Sequence, residues 1–300
     1  MIIAVTGSTG LVGSPLVEAL EAEGQVVRRM VRRPVREEAQ EIRWDPAAGT
    51  IDAAALSGVD AVVHLAGENI AAHRWTESFK AKIRDSRVRG TRLLCDTIAS
   101  LTSKPAVLVS ASAVGYYGNR GDEPVDESSP PGRGFLADVC HEWEVATHPA
   151  RDADVRVANL RIGVVLAPRG GALGKMLPPF KLGLGGVVGS GEQYLSWIAI
   201  DDLVRVIRFA LHAAALAGAA NAVAPEPVTN REFTKTLGRV LGRPTVFPMP
   251  AAAARLAFGE MANEMLLGGV RAQPRALSAA GFEFAYPQLE PALRHVLSRD

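Results

Sequence analysis

Near the start of this 300-residue chain, Thr6-Gly7-Ser8-Thr9-Gly10-Leu11-Val12-Gly13 carries the spacing Gly-x-x-Gly-x-x-Gly. An apolar run, Met1-Ile2-Ile3-Ala4-Val5, leads into it and a helical period follows, so the glycines fall on a strand-to-helix turn. Glycine permits positive φ in such a turn, has no Cβ to block a pyrophosphate, and lets helix and strand approach closely. The helix N-terminus then offers free N–H groups and a positive dipole end to phosphates. The spacing differs from the usual dehydrogenase Gly-x-Gly-x-x-Gly, but its place after a first strand supplies the context of a dinucleotide cradle.

About twenty residues on, where a second apolar run ends, an enzyme using NAD places a carboxylate against the ribose 2′-hydroxyl. This chain has Arg28, Arg29, Arg32 and Arg33 there, and the next acid is Glu37. A carboxylate repels a 2′-phosphate, whereas a guanidinium binds one in forked geometry, so the residues point to NADP(H). Arg32, just past the apolar run, is the first choice, with Arg33 beside it; the competing reading is that these arginines only solvate a strand end.

Positioning such residues calls for alternating strands and helices. Short runs rich in Val, Ile and Leu at 2–5, 25–31, 59–65, 106–110 and 155–166 predict strands, and 11–23, 76–101 and 134–147 predict helices, the second carrying Phe79, Ile83, Val88, Leu93 and Leu94. The alternation predicts an α/β fold, a Rossmann-type doubly wound parallel sheet. The segment from Pro168 to Gly191 is dense in glycine and proline and reads as a functional loop or lid. After Pro225-Glu226-Pro227 the chain turns Ala-rich and helical. The expected division is a dinucleotide-binding domain from 1–165 and 196–224, and a smaller substrate lobe from 166–195 and 225–300.

Composition removes several classes. Hydrophobic residues are 48% and charged residues 22%, with 33 basic against 32 acidic side chains and a net charge of +1. Without a clustered basic excess, no nucleic-acid partner is expected. No run approaches the ~18 apolar residues of a membrane span, and no leader is read at the start, so the expected setting is cytoplasmic. Cys95 and Cys140 make no disulfide framework, and the six histidines make no metal pattern. The expected partner is a small molecule, and the oligomeric state is open.

Further along stand His64-Leu65-Ala66-Gly67-Glu68-Asn69, Arg74-Trp75-Thr76, Ser86-Arg87, Ser110-Ala111-Ser112 and Gly115-Tyr116-Tyr117-Gly118, then Leu160-Arg161-Ile162-Gly163, Trp197-Ile198 and Asn221-Ala222-Val223-Ala224-Pro225. With the glycine loop, these resemble the extended short-chain dehydrogenase/reductases, and within them the atypical, epimerase-like branch of YfcH-like proteins, over nearly the whole chain. The resemblance implies that Gly7, Thr9, Gly10, Leu11 and Val12, with Gly13, hold the pyrophosphate and that Arg32 takes the 2′-phosphate. It implies that Leu65 and Ala66 line the cofactor and that Lys82, Arg87 and Arg161 contact it. Lys82 reads equally well as an exposed helix lysine. Arg161 interrupts an apolar strand, and a buried charge needs a partner.

In the wider superfamily a Tyr-x-x-x-Lys pair and a Ser move the proton. Ser112 matches the serine, but Gly134–Glu144, where the pair belongs, contains neither tyrosine nor lysine. Tyr116 or Tyr117 is a candidate proton donor against a structural role in loop packing; Glu68 is a candidate base or substrate contact, and His141 a candidate relay against a surface histidine. Two functions stay open. One is an NADP(H)-dependent oxidoreductase or epimerase acting on a small polar substrate, of which a sugar nucleotide is one kind; the other is an NADP(H)-binding sensor or assembly protein without turnover.

Overall fold

The computed structural model describes residues 1–36 and 39–298. Strand β1 (Ile2–Thr6) leads to helix α1 (Gly13–Ala22), β2 (Val26–Val31), β3 (Glu41–Asp45), β4 (Thr50–Ile51), α2 (Ala53–Leu56), β5 (Ala61–His64), α3 (Glu77–Ser100) and β6 (Val107–Ala113). With Arg156–Ile162 and Gly218–Ala222 these strands form an eight-stranded sheet, in the order Gly218–Ala222, Arg156–Ile162, β6, β5, β1, β2, β3, β4. Pairings β1–β2, β1–β5, β2–β3 and β5–β6 are parallel, and β3–β4 is antiparallel. The α/β, Rossmann-type doubly wound sheet expected from the sequence is the fold observed.

The strand order reverses between β1 and β5, and the carboxyl edge of a parallel sheet at such a reversal is where ligands bind. Register sets a polar row on that edge: Thr6 stands beside His64, and His64 beside Ser110. Strand β3 lay outside the expected apolar runs. Its buried residues, Ile42 and Trp44, alternate with Glu41, Arg43 and Asp45, so it reads as charged even though one face is core.

The chain divides into two compact units. The first is Met1–Ser112, Val139–Leu160 and Val204–Ala220; the second is Ala113–Asp138, Arg161–Leu203 and Asn221–Asp300. Core residues of the first include Ala4, Met30, Ile42, Trp44, Leu94, Ile98 and Leu108. The second packs Leu173, Leu177 and Phe180 with Trp197, Phe233, Leu237 and Leu293. Three of those residues correct the expected loop at 168–191: Gly171–Lys181 is a helix, with Leu173, Leu177 and Phe180 buried at i, i+4 and i+7. The glycines concealed an apolar stripe long enough to anchor a helix. Asp201 and Asp202 lie in the first turn of the helix Ile200–His212. Asp202 also receives the N–H groups of Ala285 and Tyr286, at 2.9 and 2.8 Å.

Within the first unit, Arg156 satisfies carbonyls at the end of Ile200–His212. Its guanidinium donates to Ala210 O, Leu211 O and Leu216 O, each at 2.9 Å. A helix C-terminus leaves its last carbonyls orphaned, and a cation there also meets the dipole favourably. Arg156→Met is expected to cost about 2 kcal/mol, the worth of charged hydrogen bonds left unmade. Differential scanning calorimetry reads this as a melting temperature lowered by several degrees; an unchanged midpoint contradicts the role.

Candidate cofactor and active site

The glycine loop has three unlike glycines. Gly7 has φ +64°, and a Cβ there would stand 3.0 Å from the Leu65 carbonyl carbon and oxygen. A Cβ on Gly13 would stand 2.1 Å from Gly7 O, so Gly13 serves the approach of α1 to β1. Gly10 is exposed, and a Cβ there would meet only Gly7 O, at 3.2 Å. No side chain caps α1, and no acid stands in its first turn. A helix N-terminus without a side-chain cap or acid has the dipole end that suits an anion.

Gly7, Ser8, Thr9 and Gly10 line a cleft of about 1680 Å³ with Arg29, Arg32, Arg33, Leu65, Ala66, Glu68 and Lys82. Leu11 and Val12 are half-buried and Gly13 is buried; none of the three is among the lining residues.

The floor is held by a buried chain of hydrogen bonds. Thr6 Oγ1 accepts the N–H groups of Leu65 and Ala66, at 3.0 and 3.2 Å, so its own hydrogen goes to His64 Nδ1, 2.8 Å away. His64 therefore carries its proton on Nε2 and donates to Thr91 Oγ1 at 2.9 Å, where Trp143 Nε1 also donates at 2.8 Å. His64 is fully buried, and burial pushes its pKa down to about 4. Leu65 and Ala66, expected against the cofactor, thus have their N–H groups already engaged and offer the cleft their remaining atoms.

The four arginines separate by partner. Arg28 donates to Ala55 O at 2.9 Å, and Arg29 pairs with Glu21 at 3.2 Å. Arg33 grips Glu41 with two nitrogens, one of them at 2.9 Å. Arg32 is exposed on the cleft with no hydrogen-bond or ion-pair partner among the described residues. Glu37, the first acid after them, lies outside the described residues.

Lys82 is exposed on the cleft, and Glu68 is half-buried at its lining. Arg87 holds the loop that carries Glu68. It donates to Glu68 O at 3.0 Å and its guanidinium lies 5.1 Å from the centroid of the Trp143 ring. Burial pulls its pKa below the ordinary guanidinium value, opposed by Cys140 and Glu68.

Ser112, 2% exposed, donates to Glu144 Oε1 at 2.7 Å. Glu144 was missed in the sequence. It sits on the helix Phe135–Val145, where the superfamily's tyrosine and lysine belong, four residues after the buried Cys140. An acid at that spacing on an inward-facing stripe was the available signal. His141, on the same helix, is exposed.

In the second unit, Tyr117 is fully buried. Its hydroxyl donates to Asn221 Oδ1 at 2.7 Å and accepts from Arg161 at 2.9 Å. Burial raises its pKa to about 12 against the opposing pull of Arg161. The hydroxyl's donor and an acceptor site are taken up inside the fold and the shift runs opposite to that of an activated tyrosine, an arrangement that suits the alternative of a structural role in loop packing. Arg161, 3% exposed, also lies 3.5 Å from the centroid of the Tyr116 ring, which meets the buried charge; neither Arg161 nor Tyr116 is among the cleft-lining residues.

Residues 3–223 match the family profile described as the NAD dependent epimerase/dehydratase family. The chain belongs to this family. A second profile, a domain of unknown function (DUF1731), matches residues 249–296. An epimerase family protein of Mycobacterium bovis is 48% identical over 299 residues, 99% of this chain and 98% of its own. The human epimerase family protein SDR39U1 is 38% identical over 99% of this chain and 100% of its own. The crystal structure of that human protein with NADPH matches with a TM-score of 0.91 over 99% of both chains. MoeE5, solved with UDP-glucuronic acid and NAD, is 22% identical with a TM-score of 0.76, a likeness of fold alone. The resemblance to atypical, epimerase-like short-chain dehydrogenase/reductases is borne out by these relatives.

His64 sets a pH dependence for this family member. An unfolded histidine takes a proton below its ordinary value of 6.5, while the folded one resists until about 4. Its contribution to stability is therefore complete above pH 6.5 and falls away between 6.5 and 4, by at most ~1.4 kcal/mol per pH unit. Urea unfolding at several pH values is expected to show a shallower acid limb in His64→Gln than in the native chain; parallel limbs contradict it.

Proposed function

We propose that this chain is an NADP(H)-dependent oxidoreductase or epimerase of the extended short-chain dehydrogenase/reductase class, acting on a small polar substrate such as a sugar nucleotide. The observation that carries the cofactor half is the cradle of Gly7, Thr9 and Gly10 sharing one cleft with Arg32, which has no partner among the described residues. Gly7 has φ +64° and a Cβ there would crowd the Leu65 carbonyl at 3.0 Å, so the loop has a shape that favours glycine. Gly7, Thr9 and Gly10 would hold the pyrophosphate, Arg32 the 2′-phosphate, and Leu65, Ala66 and Lys82 the surrounding groups. The bound cofactor would supply hydride transfer. The first unit takes the dinucleotide in this reading, and the second, with the DUF1731 segment, supplies the substrate lobe. A reducing, cytoplasmic setting accords with Cys95 and Cys140, both buried and unbridged.

The chemical half rests on Ser112 and Glu144. Because Ser112 gives its hydrogen to Glu144, its lone pairs are left to accept from a substrate hydroxyl. A proton leaving that hydroxyl passes to Ser112 Oγ while the serine hydrogen moves to Glu144, which takes the part of the missing tyrosine and lysine. Tyr116 and Glu68 remain substrate-contact candidates. One observation favours the second reading, NADP(H) binding without turnover: Tyr117, the tyrosine joined to a cation, is sealed in its core and cannot exchange protons with a ligand.

NADPH is expected to bind at least tenfold tighter than NADH by titration calorimetry. Arg32→Ala should remove ~1.5–3 kcal/mol from NADPH binding alone, the worth of a charged contact. Equal affinities, or no loss in the variant, refute the cofactor assignment. Gly10→Val should keep the native circular dichroism spectrum and abolish cofactor binding, since the branches fill the space of the pyrophosphate; retained binding makes the loop a mere turn. Sugar nucleotides, ketones and quinones screened with NADPH test turnover. Any activity should disappear in Ser112→Ala and Glu144→Gln, and tight binding with no turnover across the panel favours the second reading.

A further inference from the structure

Glu41 opens β3 as an acid on the cleft that holds Arg32, where an unpaired negative charge would oppose a 2′-phosphate. It is not unpaired. Its carboxylate receives both Arg33 terminal nitrogens and the backbone N–H of Arg36, the last at 3.1 Å. Only 5% of the Glu41 side chain is exposed, against 43% for Arg33. Arg33 also donates to Pro34 O at 2.9 Å, so its fork is committed within its own segment. The Arg33 hydrogen bond, then that from Arg36, holds the Glu41 carboxyl below its ordinary range, and the pair stays ionised at neutral pH. One carboxylate on a strand thus grips both ends of the segment 33–36, immediately after Arg32.

The geometry points to the Arg33–Glu41 pair as a strut that sets the preference for NADP(H): it neutralises the acid of the cleft and fixes the turn after Arg32, so that Arg32, rather than Arg33, presents the phosphate-binding charge at the end of β2. Arg33 and Glu41 are positioning residues in this scheme, and Arg33 is not itself a phosphate ligand. The inference rests on the cofactor reading above. Without the strut, binding the phosphate would also have to order the segment 33–36, which lowers affinity for the phosphorylated dinucleotide selectively.

Removing Glu41 alone would free Arg33 to bind phosphate and confuse the sign, so the test removes both charges together. Calorimetric titration of Arg33→Met/Glu41→Gln, with no net change of charge, is expected to show NADPH affinity reduced at least fivefold and NADH affinity within twofold of the native chain. A loss of fold alone would move both ligands, so the NADH arm separates positioning from general damage. Should the double variant not fold, Arg33→Lys keeps the charge and loses the fork, and about a threefold selective loss of NADPH is expected. An NADPH-to-NADH preference that persists or increases in the folded variant overturns the strut and leaves the cofactor assignment standing. A native chain that binds both dinucleotides alike overturns the cofactor assignment, and the strut with it.

Discussion

The Thr6 hydroxyl holds the sheet's carboxyl edge together at the point where the strand order reverses. It accepts two backbone N–H groups from the chain leaving β5 and gives its hydrogen to His64, so the exit from β5 is tied to the end of β1. Gly7 follows directly, with φ +64° and so near Leu65 that a Cβ would crowd its carbonyl at 3.0 Å. The two constraints reinforce each other: the hydroxyl draws the strands' exits together, and the glycine admits that closeness. The cradle, the first turn of α1 and the Leu65–Ala66 lining inherit their positions from this junction. A protonated His64 would lose its acceptor nitrogen for Thr6, which is why burial and a depressed pKa matter here beyond stability.

Sequence and structure agree where one residue type has one physical use. The glycine spacing after an apolar strand led to the cradle because positive φ and a missing Cβ are properties of glycine itself. The arginines were legible as a cluster but not as individuals. Arg28, Arg29, Arg32 and Arg33 look alike in sequence, and their roles come from partners brought in by folding: Ala55 from α2, Glu21 from α1 and Glu41 from β3. Strand β3 was hidden by its charges, and the helix Gly171–Lys181 by its glycines. In both, burial of alternate or i, i+4 residues overrode local propensity.

Ser112 could be matched by its place at the end of β6, but the partner of its hydroxyl is Glu144, 32 residues away. No spacing rule joins them. Tyr117 stands five residues after Ser112 in sequence, whereas its hydroxyl is bound to Asn221, 104 residues on, and to Arg161. Local sequence locates elements, and long-range hydrogen bonds then assign the work of the side chains they carry.

The helix Phe135–Val145 shows how a family frame can lose its usual acid and base and still keep a polar connection to the sheet. Trp143 donates to Thr91, the same hydroxyl that receives His64, and so belongs to the chain that ends at the floor of the cleft. Its neighbour Glu144 takes the hydrogen of Ser112 at the end of β6. Of two consecutive residues, one therefore binds a hydroxyl on α3 and the other a hydroxyl at the end of β6. A substitution that shifts Trp143 would disturb Glu144 and His64 together, because a single helical turn cannot move one without the other. Through that shared turn, the groups proposed for proton transfer and the floor proposed for the cofactor are mechanically one unit.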